Sequence, residues 1–207
     1  MKLITTEVIE GHVRRFVILG HEAHTVPDFS LDDLPGTSGR IDILARCVTS
    51  AFLLSHDIRR DVELYLVLEG PGRPPKTIRM VGSELKHLNP DERSTAALIL
   101  KALASPSIAE SRSTPGVYVS GSGFSQILNS LQGTIVLLKE DGTDIRKQAL
   151  PEGASFVLSD HLDINEDKEK ALMALNPIMA GLGPKSLHSD QCIVLVHNEL
   201  DRREASL

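Results

Sequence analysis

The amino-acid sequence predicts an α/β fold in which a mostly parallel sheet carries helices on both faces. The first observation is size, because 207 residues with 41% hydrophobic composition are enough for one substantial core. The second is that short apolar runs, typical of buried strands, alternate along the chain with segments whose apolar residues recur at helical spacing. Such alternation is typical of parallel sheets, whose ligands bind at the carboxyl ends of the strands.

The first third of the chain contains two predicted strands and one predicted helix. Residues 13–19 (VRRFVIL) read as a buried strand, and the many turn formers of residues 20–39 predict a long loop after it. Helical spacing of apolar residues predicts a helix over residues 40–56, and VELYLVL at residues 62–68 predicts the second strand. Long ordered loops often carry function, so we expect residues 20–39 to contribute to a site.

The middle third continues the alternation. Residues 77–81 predict a short strand, and Pro90 opens a helix whose apolar residues share one face. The Ser- and Pro-rich residues 105–116 predict a connector, and residues 118–119 are expected to be extended. Apolar residues at helical spacing predict another helix over residues 121–133.

The last third repeats the pattern. Residues 134–138 and 155–158 predict strands, residues 165–175 a helix, and residues 177–182 an extended segment. The run CIVLV near the end fits either a strand or a helix, and Ser189 as an N-cap residue favours a helix.

Composition excludes several classes of protein. A net charge of -6 argues against indiscriminate nucleic-acid binding, although clustered arginines leave local basic patches open. Cys47 and Cys192 belong to no CxxC pair, so neither a disulfide framework nor a metal site is expected. No segment approaches the roughly 20 apolar residues that span a bilayer, and residues 1–12 lack a secretory pattern. We therefore expect a cytoplasmic protein without a membrane partner.

Three short features invite a chemical interpretation, and each has a simpler one. HEAH at residues 21–24 lacks the i, i+4 histidine spacing of helical zinc motifs, which makes a metal role improbable. GSGFS at residues 121–125 is either a phosphate-binding turn or an ordinary helix start, and we favour the second. Cys192, at the start of a predicted helix, is either an activated thiolate or, more commonly, a packing cysteine.

The C-terminal segments resemble a known family. FVLSDHLDI at residues 156–164, together with GLGPKSLHSDQCIVLVHNELDR at residues 181–202, resembles the knot region of the SPOUT methyltransferases. With residues 39–70 the similarity narrows to the archaeal TrmY family, the tRNA pseudouridine N1-methyltransferases. It covers most of the chain after about Arg14.

This resemblance implies a C-terminal trefoil knot, a homodimer and the cofactor S-adenosylmethionine. It implies an N-terminal extension at residues 1–12 and a single SPOUT methyltransferase domain at residues 13–207. From the residues themselves we expect close backbone approach at Gly181, Gly183 and Pro184, and an apolar run at residues 192–196 that is too wide for one buried stripe. By the resemblance, five residues line the cofactor pocket: Leu138, Ser159, Gly183, Leu187 and Cys192.

The implied reaction is methylation of N1 of pseudouridine at position 54, in the T-loop of tRNA. A ribosomal RNA pseudouridine N1-methyltransferase and a non-catalytic RNA-binding assembly factor that retains the knot are the alternatives. Asp33 as general base and Arg40 as a substrate clamp are our expectation, and capping of the following helix by Asp33 and Asp42 is the simpler alternative. Arginines at residues 59–60 either contact tRNA phosphates or complement a helix dipole.

Overall fold

The computed structural model describes residues 13–205, and their strands form one eight-stranded sheet. The strands are β1 Arg14–Gly20, β2 Val62–Leu68, β3 Lys76–Val81, β4 Ser111–Thr114, β5 Val117–Ser120, β6 Ile135–Asp144, β7 Ser155–Ser159 and β8 Ile178–Gly181. The helices are α1 Leu34–Thr37, α2 Ile41–Phe52, α3 Glu92–Leu103, α4 Phe124–Ser130, α5 Glu166–Met173 and α6 Ser189–Glu204. The expected N-terminal extension, residues 1–12, lies outside the described residues, and the domain limits of 13–207 stay a prediction.

The strand order is β4-β5-β3-β2-β1-β7-β6-β8, and the predicted parallel sheet is confirmed. The five neighbouring strands β2, β1, β7, β6 and β8 run parallel to one another. The other three, β3, β5 and β4, are antiparallel and form one edge of the sheet. The next strand in the chain, β2, pairs with one edge of β1, and β7 pairs with the other edge. The carboxyl ends of β1 and β7 therefore border the crevice where α/β sheets bind ligands.

Helices cover both faces of the sheet, as predicted. Along β1, Phe16 and Ile18 point into a large core shared with α2, α3 and α6. Val17 and Leu19 point the other way, into a smaller core with α4 and α5. This alternation follows from the two-residue period of a strand, and both faces of β1 are buried as a result.

Two predicted boundaries were wrong. The connector at residues 105–116 contains β4, which pairs antiparallel with β5 through a turn at Gly116 with a φ of 75°. The helix predicted to continue to His56 ends at Phe52, because Leu53 is extended and forms a bridge with Ile58. Polar composition concealed the edge strand, which lies largely in solvent and needs no apolar stripe.

The C-terminal run CIVLV is helical, and it closes the core. Ile193 and Val196 of α6 are fully buried and pack into the large core, whereas Val194 and Leu195 are 51% and 40% exposed. The helix N-cap is His188, not Ser189 as expected, and the Gln191 side chain accepts the His188 backbone N–H at 3.1 Å.

Ion pairs join the far end of α6 to the start of β1, where Arg14 is buried and its partners Asp201 and Glu204 are 42% and 56% exposed. Arg14, 5% exposed, donates to Asp201 at 2.6 Å and to Glu204 at 2.8 Å. Arg59 forms a second ion pair with Asp201, at 2.6 Å, so its guanidinium complements a carboxylate rather than a helix end. Arg60 donates to the backbone of the strand-to-helix segment that follows β3.

Candidate active site

A cavity of about 820 Å³ lies at the carboxyl ends of β6, β7 and β8. The five residues named from the resemblance all line it, although they come from three turns and the start of α6: Leu138, Ser159, Gly183, Leu187 and Cys192. Small-molecule sites commonly measure roughly 300–1,000 Å³, so the cavity is large enough for a nucleoside with an amino-acid tail.

Glycines shape the wall between β6 and β8. The pairing of these strands is interrupted between Leu138 and Thr143, so the intervening residues leave the ladder and form a turn over the cavity. A Cβ atom on Gly142 would lie 2.5 Å from the Ala180 carbonyl carbon, and one on Gly181 would lie 2.6 Å from the Gly142 oxygen. The close approach expected at Gly181 is therefore present, and it requires two facing glycines.

Gly183 serves the cavity for a different reason. The close backbone approach predicted at Gly183 was wrong, because an added Cβ would meet nothing within 4 Å. The requirement is conformational, since Gly183 has a φ of 152°, a backbone region that L side chains rarely adopt.

The turn after β7 is fastened to the first turn of α6. The Ser189 hydroxyl donates to the Ser159 carbonyl oxygen at 2.5 Å, and Ser189 is only 8% exposed. This bond places the start of the helix beside the cavity, where its unpaired backbone N–H groups point outward. Ser189 thus acts across elements rather than as the helix cap.

Cys192 faces the cavity as a neutral thiol. Burial, with Asp190 nearby, raises the pKa of Cys192 to about 11 from 9.0. The activated-thiolate hypothesis is therefore not supported, although the residue lies in the first turn of α6 where a thiolate would be favoured. Cys47 is fully buried, and burial raises the pKa of its thiol as well.

The lining of this cavity fits S-adenosylmethionine. Leu138, Leu182 and Leu187 offer apolar surface, and the turns offer backbone donors and acceptors for a purine ring. Carboxylates outnumber the two lysines that line the cavity, Lys139 and Lys185, and the net negative charge matches a positively charged sulfonium. The carboxylates are Glu140, Asp141, Asp160, Asp163 and Glu169.

A second depression, of about 720 Å³, opens beside the first and is called here the His21 hollow. It is lined by His21, Glu22, His24, Pro35, Gly36, Gly39, Arg40, Glu69, Gly70, Pro71 and Pro74. Most of these residues belong to the long loop after β1, which the sequence predicted to be functional.

Arg40 lines the His21 hollow, and a buried carboxylate orients it. The Asp42 side chain, 4% exposed, accepts from Arg40 Nε at 3.0 Å and from Nη2 at 3.2 Å. Arg46 donates to the same carboxylate at 3.2 Å. Burial alone would raise the pKa of Asp42, but the two guanidinium groups outweigh it and hold that pKa below its usual range.

Asp33 lies outside the linings of both depressions. Its carboxylate caps the short helix α1, accepting the Gly36 backbone N–H at 3.1 Å. The expectation that Asp33 and Asp42 cap the next helix was wrong in detail, because the Ser38 hydroxyl accepts the Ile41 N–H at the start of α2, at 3.0 Å.

His21 and Asp160 join the two depressions. Asp160 follows β7 and lines the cofactor cavity, while His21 follows the adjacent strand β1 and lines the hollow. One oxygen of Asp160 accepts the His21 backbone N–H at 2.8 Å, and the other lies 2.8 Å from His21 Nδ1. This pair was not predicted from the sequence. The available signal was a polar residue directly after each of two buried strands.

The two histidines of the HEAH motif do not share a binding partner. His21 pairs with Asp160, whereas His24 Nδ1 lies 2.7 Å from Asp28. Across residues 13–205 no group of three or more His, Cys, Asp or Glu side chains is arranged to hold a metal ion. Within the same residues, every helix is too short or too polar to cross a bilayer.

Known proteins share this architecture. The family model described as "Putative SAM-dependent RNA methyltransferase" matches residues 13–205. A protein named tRNA (pseudouridine(54)-N(1))-methyltransferase from Methanocella arvoryzae is 49% identical over 193 residues, covering 92% of this chain and 100% of that protein. A protein of the same name from Methanosarcina mazei is 48% identical over 196 residues, covering 93% of each.

The fold is also similar to a solved structure. A crystal structure of Archaeoglobus fulgidus Nep1 bound to S-adenosylhomocysteine matches with a TM-score of 0.63 at 16% identity, covering 93% of this chain and 99% of that one. At this identity the similarity concerns the fold alone, and it agrees with the expected fold class. Since the family match spans every described residue and the relatives align over nearly their full length, this chain belongs to the SAM-dependent RNA methyltransferase family.

Proposed function

We propose that this chain transfers the methyl group of S-adenosylmethionine to N1 of pseudouridine 54 in the T-loop of tRNA. Relatives that carry this activity in their names are 48–49% identical over more than nine-tenths of the chain. The observation that carries the proposal is the cavity itself, because three separate turns converge there on a lining that fits the methyl donor.

The cofactor-lining residues have distinct proposed roles. Leu138 and Leu187 supply apolar contacts, and the backbone at Ser159 and Gly183 supplies polar ones. Cys192, as a neutral thiol, fills space beside the donor rather than attacking it.

The chemistry needs alignment more than activation. S-adenosylmethionine supplies a methyl group that is already electrophilic, so the chain must orient the ring nitrogen and help its proton leave. Arg40 is proposed to hold the uracil ring through its carbonyl oxygens, since its guanidinium is aligned and 35% exposed. Asp33 remains the proposed general base, and that role requires it to release the α1 cap when substrate arrives.

A methylation assay tests the substrate. The protein is incubated with labelled S-adenosylmethionine and one of three RNAs: tRNA with pseudouridine 54, the same tRNA with uridine 54, or a pseudouridylated ribosomal RNA hairpin. We expect label only in the first. Label in the ribosomal hairpin alone would move the assignment to the ribosomal enzyme, and no label with any RNA would indicate an assembly factor.

We also propose that the protein is a homodimer that buries the outer side of α6. Val194 and Leu195 are exposed there while their neighbours in the helix are buried, and Leu187 is 37% exposed nearby. A helix with apolar residues on two sides needs a second partner for the outer one. We further propose that the segment before α6 is threaded to form a trefoil knot. We also propose that the protein is cytoplasmic.

Light scattering after size-exclusion chromatography tests the dimer. We expect the double variant Val194→Asp with Leu195→Asp to elute as a folded monomer at concentrations where the wild type is dimeric. Ile108→Asp is the control, since Ile108 is an aliphatic residue that is more exposed than Val194 or Leu195 but lies in the connector before β4. An unchanged dimer in the double variant would rule out this face.

A further inference from the structure

We propose that the His21 hollow binds the uracil ring of the target pseudouridine, with His21 and Arg40 contacting adjacent groups on one edge of the ring. The proposal rests on the proposed function and assigns its nucleotide site.

The position of the hollow suits a methyl acceptor. His21 lines the hollow, Asp160 lines the cofactor cavity, and two hydrogen bonds of 2.8 Å join these residues. A nucleophile must come within roughly 3–3.5 Å of the methyl carbon before reaction. The hollow borders the donor cavity at the His21–Asp160 pair, which is the position that a site for the methyl acceptor requires.

The backbone at Arg40 is strained in a way that points to a ligand. Arg40 has a φ of 69°, one of two positive values among non-glycine residues in the described part of the chain. Gly39 precedes it with a φ of 65°, and a Cβ there would lie 1.8 Å from the Glu22 carbonyl oxygen. Strain of this kind clusters at ligand sites, where it is retained because it positions a functional group.

Asp160 determines which nitrogen of His21 is free. A carboxylate only accepts hydrogen bonds, so Nδ1 carries the proton that faces Asp160, and Nε2 of the neutral ring is an acceptor. Nε2 is shielded from solvent and has no hydrogen-bond partner within residues 13–205. Buried polar atoms without a partner are rare in folded proteins, and this one lies on a residue that lines the hollow.

The two side chains match the edge that distinguishes pseudouridine from uridine. In pseudouridine the ring presents N1–H next to the C2 carbonyl, whereas uridine presents C5–H at the place of N1–H. Before methyl transfer, Nε2 of His21 would accept a recognition hydrogen bond from N1–H and the guanidinium of Arg40 would donate to the carbonyl, while removal of the N1 proton stays with the proposed base Asp33. Because Nε2 is shielded in the free chain, we expect this bond to form as side chains move on substrate entry.

The remaining walls suit a flat ring. Pro35 and Pro74 present apolar faces, Gly36 brings backbone to the surface without a side chain, and the buried Gly70 adds backbone to the lining. Bases in RNA loops are read after they leave the stack, when their faces and edges are free. The ligand class is therefore an unstacked pyrimidine nucleotide with an N–H next to a carbonyl.

The variant His21→Asn separates the two roles of His21. An asparagine amide nitrogen is the same number of bonds from Cβ as Nδ1, so it retains a donor toward Asp160 while the Nε2 acceptor is lost. Binding of T-loop hairpins with pseudouridine or uridine at the target position is measured by fluorescence anisotropy, with S-adenosylhomocysteine present. Affinity for S-adenosylhomocysteine alone is measured by calorimetry. His87→Asn, at an exposed position in the loop before α3, is the control.

We expect wild type and His87→Asn to prefer the pseudouridine hairpin by about tenfold, the value of one good hydrogen bond. In His21→Asn that preference should vanish while the affinity for S-adenosylhomocysteine is unchanged. A preference retained in His21→Asn would overturn the proposal, and so would amide NMR signals of Gly36, Gly39 and Gly70 that do not shift when the hairpin is added.

The same samples separate this inference from the proposed function. If wild type methylates tRNA but the hollow signals do not respond, the activity stands and the nucleotide site lies elsewhere. If wild type neither binds the hairpin nor methylates tRNA, the proposed function fails and this inference fails with it.

Discussion

The buried histidine of α6 makes the stability of this protein depend on pH. His197 is 3% exposed and packs edge-on against Phe16, with ring centroids 5.0 Å apart. Its Nε2 lies 3.0 Å from the Ala51 carbonyl oxygen, and its Nδ1 lies 3.2 Å from a guanidinium nitrogen of Arg14. A carbonyl only accepts and a guanidinium only donates, so both contacts require the neutral ring with the proton on Nε2.

Burial, followed by the positive charges of Arg59 and Arg14, lowers the pKa of His197 from 6.5 to about 3 in the folded protein. When the pH falls below 6.5, the unfolded chain binds a proton that the folded chain does not bind. The free energy of unfolding therefore decreases as the pH falls from 6.5 toward 3, and this contribution is complete above 6.5. The slope is about 1.4 kcal/mol per pH unit, or roughly 3 kcal/mol between about pH 7 and about pH 4.

Urea unfolding at a series of pH values and one protein concentration measures this contribution. Other groups also titrate in this range, so the quantity compared is the difference between wild type and His197→Gln, which carries no charge at any pH. We expect the wild-type advantage to shrink by roughly 3 kcal/mol between about pH 7 and about pH 4.

His87→Gln is the control, because His87 is exposed and its removal should leave the wild-type pH profile in place. A parallel pH profile for wild type and His197→Gln would refute the reasoning. So would an NMR titration in which the His197 ring protonates near 6.5 in the folded protein.

Three further outcomes follow from the site. Gly183→Ala should weaken S-adenosylmethionine binding about tenfold in calorimetry, because a side chain disfavours the observed backbone conformation by about 1–3 kcal/mol. The free energy of unfolding should fall by no more than this strain, since the added methyl group meets no neighbour. An unchanged affinity would contradict the conformational role of the glycine. Cys192, with a pKa of about 11 against 9.0, should react with a disulfide reagent at neutral pH about 100-fold more slowly than an ordinary thiol, and fast labelling would show a thiolate. Asp42→Asn should lower the free energy of unfolding, measured in urea, by about 2–3 kcal/mol, because Arg40 and Arg46 lose the buried charge between them. Equal stability of the variant and the wild type would show that these two ion pairs are not needed.

Much of the fold could be predicted from local pattern. The parallel strands are continuous apolar runs because both of their faces are buried, and β2 was predicted at its observed limits. The edge strand β4 was missed because SRST has no apolar face to reveal it. The end of α2 was missed because Leu53 and Leu54 continue the helical pattern although the backbone has turned.

The residues of the candidate site were also predicted only in part. The five cofactor-lining residues were named by resemblance, and they meet in one cavity although they are spread over residues 138–192. The pairing of His21 with Asp160 could not be read from either segment alone, because it depends on β1 and β7 being neighbours in the sheet. The alignment of Arg40 by Asp42 was also hidden, since an arginine two residues before an aspartate implies no particular geometry.

By itself, the sequence determined the apolar strands, most of the helices and the turn at Gly181 that requires glycine, because hydrophobic period and backbone freedom are local properties. Only the tertiary structure decided which strand ends are adjacent, which histidine is held by a buried carboxylate, and which thiol stays protonated. Those outcomes depend on burial and on charges brought together from distant residues, and no stretch of sequence carries that information alone.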